Sequence, residues 1–208
     1  TGGVSSWIHA LITSFPEKTF SILHICPSQS ENQVYKYSLP DNLVSLVIVG
    51  LHDSILHDNK TPGKKNEKKA YADIYQFHKD LAKQDFSGFE KVLRHLGSST
   101  ERATNTFQIL KSKDTWKAIL KMYKEKGLKS SFIDYYWTWR FVHLPIFQIL
   151  NAEIPPAKIY HSVSTGYAGM IGVLAKLKHQ APLLLTEHGI YAKERDIEIR
   201  RSEWIHED

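Results

Sequence analysis

His188 lies beside Gly189 in the run Thr186-Glu187-His188-Gly189-Ile190-Tyr191-Ala192-Lys193-Glu194-Arg195. An imidazole changes charge near neutral pH and can both donate and accept hydrogen bonds, so it suits proton transfer or the positioning of a hydroxylated ligand. Lys193 and Arg195 supply fixed positive charge for a phosphate or carboxylate. Glu187 and Glu194 can orient His188 or the basic residues, or accept hydrogen bonds from sugar hydroxyls. The plain alternative is a set of surface ion pairs on the last helix. Metal binding is not expected at His188, because no second His or Cys falls at ligand spacing.

Two further groups carry the same kind of chemistry. His161 follows Ile159-Tyr160 and precedes Ser162, Ser164, Thr165 and Gly166. There it can contact a ligand, or it can only orient the turn. Gly2-Gly3 precede an apolar helical pattern. A glycine pair lets a ligand approach the backbone closely, and a helix start offers free N–H groups and partial positive charge to a phosphate. Taken alone the pair is a weak signal, and a plain loop is its ordinary reading. Neither G-x-G-x-x-G nor G-x-x-x-x-G-K-[ST] occurs, so the dinucleotide and P-loop fingerprints do not apply. There is no G-x-S-x-G, and Cys26 lacks the His-Asn pattern of a cysteine nucleophile. A glycosidase carboxylate pair is not identifiable from spacing.

The elements that must position these groups follow from periodicity. Val4, Trp7, Ile8, Leu11, Ile12 and Phe15 share one helical face, with Ser5 and Ser6 placed to satisfy free N–H groups at the start and Pro16 ending the helix. Thr19 to Ile25 and Leu43 to Val49 are nearly continuous apolar runs, as expected for strands covered on both faces. His52 to Lys69 shows no period and reads as a long loop. Helices are expected at Tyr71–Ala82, Phe86–Leu96, Thr115–Lys126 and Phe132–Leu150, the last kinked or stopped near Pro145. Short buried parallel strands are expected at Lys158–Tyr160 and Leu183–Thr186, which places His188 just past a strand end. Between them, Gly166 to Ala175 reads as a helix whose small residues let it lie close to a sheet. Lys193 to His206 is charged and helical. Strand, helix, strand near the end argues for an α/β fold with a mostly parallel sheet, interrupted by a helical insertion at about 71–150. Ligands in such sheets bind past the carboxyl ends of strands.

Composition bounds the rest. The chain has 208 residues, 42% hydrophobic and 24% charged, which suits a globular domain with a sizeable core. The net charge is +5, and five lysines (Lys60, Lys64, Lys65, Lys68 and Lys69) supply much of it locally. Such a run is a solvated loop or a patch for an anionic surface; no aromatic residues interleave to stack on single-stranded nucleic acid, and a nucleic-acid partner is not expected. The aromatic fraction of 12% points to a core, an interface or sugar stacking. Cys26 is the one cysteine, so no internal disulfide forms, and its apolar flank predicts burial. Phe132 to Leu150 contains Asp134, Arg140, His143 and Pro145, which makes it a poor membrane span.

Four segments, Gly-Gly-Val-Ser-Ser-Trp (2–7), Asp-Tyr-Tyr-Trp-Thr-Trp-Arg (134–140), His-Ser-Val-Ser-Thr-Gly-Tyr-Ala-Gly (161–169) and Thr-Glu-His-Gly-Ile-Tyr-Ala-Lys-Glu-Arg-Asp-Ile-Glu-Ile (186–199), resemble the N-terminal half of the PelF-type glycosyltransferases. These are the family 4 enzymes of Pel exopolysaccharide synthesis. They occur in the same order and span nearly the whole chain. The resemblance implies the Rossmann-like N-terminal domain of a GT-B fold, which mainly binds the acceptor. It also implies a second, C-terminal domain holding a UDP-sugar donor, retention of anomeric configuration, and no metal or other cofactor. A cytoplasmic location, peripheral at the inner membrane and working with an export complex there, follows from the same likeness. By the resemblance, Gly2 and Gly3 approach the donor diphosphate, and His188 lies near the reacting sugar. Lys193 contacts the acceptor and His161 faces the cleft. Glu187, Glu194 and Arg195 belong to the same wall, without assigned roles. The donor-binding domain, its paired-glutamate motif and the strand expected before Gly2 are not in this sequence. The chain is therefore expected to be truncated and to catalyse no transfer alone. The competing expectation is a non-catalytic α/β scaffold that recruits other synthesis proteins through the aromatic 132–150 helix and the insertion.

Overall fold

The computed structural model describes residues 3–29, 35, 38–53, 67–96 and 106–201. It is an α/β protein in which all the strands among the described residues pair in parallel. The chain divides into two compact units, one formed by Thr1–Asp53 and Ala152–Ser202, the other by Ser54–Asn151 with Glu203–Asp208.

The first unit holds the strands. Helix α1 (Gly3–Thr13) leads to β1 (Phe20–Cys26), which pairs with β2 (Leu43–Gly50) in register Ser21 to Ser45 through Cys26 to Gly50. Of the two serines expected to satisfy N–H groups at the start of α1, Ser6 is used otherwise: its hydroxyl donates back to the Gly3 carbonyl at 2.9 Å. Cys26 is buried as expected, near the Val49 carbonyl. The Asn42 amide ties the end of α1 to β2 by donating to the carbonyls of Ile12, Phe15 and Lys18.

The expectation of strands covered on both faces does not hold. Ser21 and His24 are exposed on β1, and Val44 is 64% exposed on β2. Among the described residues each strand has a single partner in a two-stranded sheet, so faces and edges stay open.

Later in the same unit, β3 (Tyr160–Ser162) pairs with β4 (Leu183–Leu185), the two residues centred on His161 and Leu184 lying side by side. The intervening α7 (Gly166–His179) packs on both strands. The small-residue argument is borne out at Gly172. A Cβ there would meet Leu183 Cδ1 at 2.8 Å and Ser162 Cβ at 3.5 Å, so only a glycine permits this approach without adjustment. Gln180, at φ 53°, ends α7 in the left-handed region. The closing helix is Tyr191–Arg201, starting two residues before the expected Lys193; the part expected at 202–206 lies outside the described residues.

The second unit is helical, with α2 (Glu67–Leu81), α3 (Phe89–Leu96), α4 (Thr106–Lys111), α5 (Lys113–Lys126) and α6 (Phe132–Leu150). Helices α7 (Gly166–His179) and α8 (Tyr191–Arg201) belong to the first unit. Helix α2 takes up the end of the expected loop, because Lys68 and Lys69 lead directly into Ala70, which is fully buried; Lys60, Lys64 and Lys65 lie outside the described residues. Ser112 and Ser131 cap α5 and α6, their hydroxyls accepting from Asp114 N and Asp134 N, and Gly127 ends α5 at φ 62°. Helix α6 runs through Pro145 instead of stopping. The proline is buried in the helix, where it cannot donate to the Phe141 carbonyl. No described helix is long and apolar enough to cross a membrane.

Candidate functional site

Trp7 joins the groups that the sequence separates by more than 150 residues. It stands on α1, four residues after Gly3, about 6 Å along a helix axis. Its indole meets the His161 ring edge-on, centroids 5.8 Å apart, and the His188 ring at 5.1 Å. Edge-to-face geometry at this spacing is favourable between aromatic rings. One apolar plate thus braces both imidazoles. Gly3 opens α1 with free space on its Cα side; Gly2 lies outside the described residues.

His161 is placed differently from the sequence expectation. It is the central residue of β3 rather than the residue after the strand, because Ser162 still pairs with Leu185. Its exposed Nε2 lies 2.8 Å from the Thr186 hydroxyl, on the segment that follows β4. His188 is exposed two residues further along. His161 therefore lies within β3 and His188 three residues past the end of the neighbouring parallel strand β4; Thr186 bonds to His161, and Trp7 touches both rings.

Glu187 has a defined structural task. Its Oε1 accepts the Thr165 hydroxyl at 2.9 Å and the Tyr191 backbone N–H at 3.3 Å. A carboxylate at that position complements the positive end of α8 and ties the start of α7 to the start of α8. Thr165 sits at the N-cap of α7 but makes no side-chain bond to its own helix; it serves the junction instead. Gly166, at φ 66°, turns its open side to the Tyr191 ring, where a Cβ would collide. Glu194, on the first turn of α8, sets its carboxylate against Gly189. Lys193 is exposed on the same turn and Arg195 continues the helix.

The arrangement brings His161, His188, Glu187, Glu194 and Gly3 to one end of this unit. It offers two ring nitrogen systems, two carboxylates, hydroxyls and a helix start. Sequence reasoning missed Trp7, Thr165, Thr186 and Tyr191 as parts of this site. In the sequence Trp7 stands out as a member of the α1 apolar face and of the 2–7 segment, and neither says which ring it meets. Among the described residues no three His, Cys, Asp or Glu side chains converge as a metal cluster would.

No curated protein and no solved structure matches the chain. The model of one family, described as Domain of unknown function (DUF3492), matches residues 1–208, and the chain belongs to that family.

Proposed function

We propose that this chain is the acceptor-side domain of a retaining glycosyltransferase of Pel-type exopolysaccharide synthesis. The observation that carries the reading is the bracket of His161 and His188 by Trp7, one turn from Gly3. Glycosyl transfer develops positive charge on the sugar and negative charge on the departing diphosphate. Backbone N–H groups and a helix dipole fixed beforehand can stabilise the latter. A retaining reaction can let the leaving phosphate accept the acceptor's proton on the same face. His188 then orients the sugar, and it need not be a strong base. Trp7 limits both imidazoles to one orientation, Lys193 and Glu194 face the acceptor, and a C-terminal domain would hold the UDP-sugar. Under this reading the protein is cytoplasmic and serves an export complex at the inner membrane.

The test joins this domain to a C-terminal donor domain and measures UDP-sugar turnover. His188→Ala and Lys193→Ala are expected to lower turnover at least tenfold, roughly the loss of one charged hydrogen bond. Trp7→Ala is expected to lower it too, with Trp7→Phe retaining more. Normal turnover in both His188→Ala and Lys193→Ala would refute the site.

A second reading has its own observation. Ile133, Trp137 and Phe141 recur every four residues along α6 and are 66%, 59% and 42% exposed. Such a stripe suits a partner helix, so the domain would recruit synthesis proteins without chemistry. Partner capture that survives His188→Ala but is lost on Trp137→Ala would favour that reading.

A further inference from the structure

The exposed stripe of α6 is part of a wider surface that reaches α5. Trp116, on α5, is 48% exposed. Tyr136 links it to the stripe, its ring centroid 5.1 Å from that of Trp116 and 5.6 Å from that of Trp137. Ile133, Trp137 and Phe141 therefore continue through Tyr136 to Trp116 as one apolar surface crossing two helices. Exposed patches of this kind mark contacts with proteins or membranes.

Basic side chains accompany the rings. At 3.6 residues per turn, Lys113, Lys117 and Lys124 fall on the face of α5 that carries Trp116, and all three are exposed. The Arg140 guanidinium lies 6.0 Å from the Trp137 ring centroid. Residues 106–150 hold eight Lys and Arg against three acids. Each acid is engaged locally. Asp114 lies 3.9 Å from Lys117, Glu125 pairs with Lys79 and Lys121, and Asp134 accepts the Ser131 hydroxyl.

This combination decides between partners. Lysine is depleted at protein–protein interfaces, whereas an anionic bilayer rewards each Lys or Arg near its surface by about 1 kcal/mol. A nucleic acid would gain from stacking on the Trp rings but nothing from Ile133. A bilayer uses every group present. Ile133 and Phe141 enter the acyl boundary, the indoles sit at headgroup level, and the lysine stems lie on apolar surface with their ammonium groups in water. We infer that the α5–α6 face docks on the surface of an anionic lipid bilayer. The inference does not rest on the proposed transfer site, because every residue named belongs to the helical unit.

The experiment sediments the 208-residue chain with vesicles of phosphatidylcholine, alone or with about one third phosphatidylglycerol, and follows tryptophan emission. Binding to the anionic vesicles is expected to be at least about tenfold tighter than to the neutral ones, with a blue shift of the emission. Lys113→Gln/Lys117→Gln/Lys124→Gln is expected to weaken binding at least about tenfold, and Ile133→Ser/Trp137→Ser by a similar factor. Circular dichroism checks that each variant is folded. Lys60→Gln/Lys64→Gln/Lys65→Gln, which changes the basic run outside α5 and α6, is expected to lose less than the α5 variant. Absence of binding, or equal binding to the two vesicle types, would overturn the inference. So would undiminished binding by the Ile133→Ser/Trp137→Ser variant, or a larger loss from the Lys60, Lys64 and Lys65 changes than from those on α5. An oligothymidylate that binds more tightly than the anionic vesicles, and loses affinity in the α5 variant, would overturn it in favour of a nucleic acid.

Discussion

Glu187 shows how a residue that reads as part of a reactive cluster can be occupied by architecture. In the sequence it is one charge among several beside His188. In the fold its carboxylate accepts from Thr165 and from the Tyr191 N–H, which makes it a cap delivered from outside the helix. The two roles separate by substitution. Glu187→Gln keeps an acceptor oxygen and is expected to cost less than about 0.5 kcal/mol. Glu187→Ala leaves the α8 start without its acceptor and is expected to cost about 1 kcal/mol. Urea denaturation of the isolated domain checks both; equal losses would show that the charge, not the acceptor, is what matters. His188 was legible in the sequence as a residue just past a strand end, whereas His161, expected after its strand, lies within β3. The ring contacts of Trp7 were not legible, because a 3.6-residue period says which face a side chain occupies and not which ring it meets across the fold. Arg195, read as fixed positive charge, lies on α8, and its side chain is outside the described residues.

At the scale of elements, the β3–α7–β4 passage was legible because small residues and two short apolar runs leave few alternatives. Its boundaries shifted by one to four residues: β3 extends to Ser162, and α7 extends to His179. Helix α4 was missed, since six residues are under two turns and show no period. Helix α6 has the expected bounds, Phe132–Leu150; of the two effects expected at Pro145 the stop does not occur, and the proline is buried inside the helix. Two glycines of α7 now predict opposite outcomes for the same change. At Gly172 the colliding atom is the end of the flexible Leu183 side chain. Alanine there gains up to about 1 kcal/mol of helix propensity against a rotamer adjustment of similar size, so Gly172→Ala is expected to be near neutral. At Gly166 the φ of 66° is unfavourable for alanine, and the obstacle is the Tyr191 ring. Gly166→Ala is expected to destabilise by about 2 kcal/mol, and comparison of the two thermal midpoints checks the order. A Gly172→Ala loss as large as that of Gly166→Ala would mean that α7 cannot adjust on β3 and β4.

For the whole molecule, a division into two compact units was legible only in part, as a helical insertion in an α/β chain. What the sequence could not disclose is that the helical unit carries a partly buried histidine pair joining α2 and α6. His143 Nδ1 lies 2.7 Å from the Trp139 carbonyl. A carbonyl only accepts, so Nδ1 carries the proton and Nε2 of His143 carries a lone pair. That Nε2 lies 3.1 Å from His78 Nε2, and His78 must be the donor. The rings are 5.2 Å apart and within 18° of parallel, which fits an edge-to-edge meeting with little room for a metal between the nitrogens. Burial pushes His143 from its usual 6.5 down to about 4, with the Trp139 hydrogen bond acting the other way and His78 adding to the fall. Burial also lowers His78, helped by Lys126. A lowered folded pKa means that the unfolded chain binds protons first. The stabilisation is therefore fully present above pH 6.5, declines as the pH falls, and is lost by about pH 4. Protonated His143 would set two N–H groups against each other. For His143 alone the loss amounts to about 3 kcal/mol. The His78→Phe/His143→Phe double variant removes both titrations and keeps ring packing, so its stability is expected to be flatter than wild type between pH 6.5 and pH 4. Urea denaturation at half-unit pH steps, followed by helical ellipticity, measures the two slopes. Parallel slopes would show that other groups govern the acid response and that the pair takes up protons alike in the folded and unfolded states.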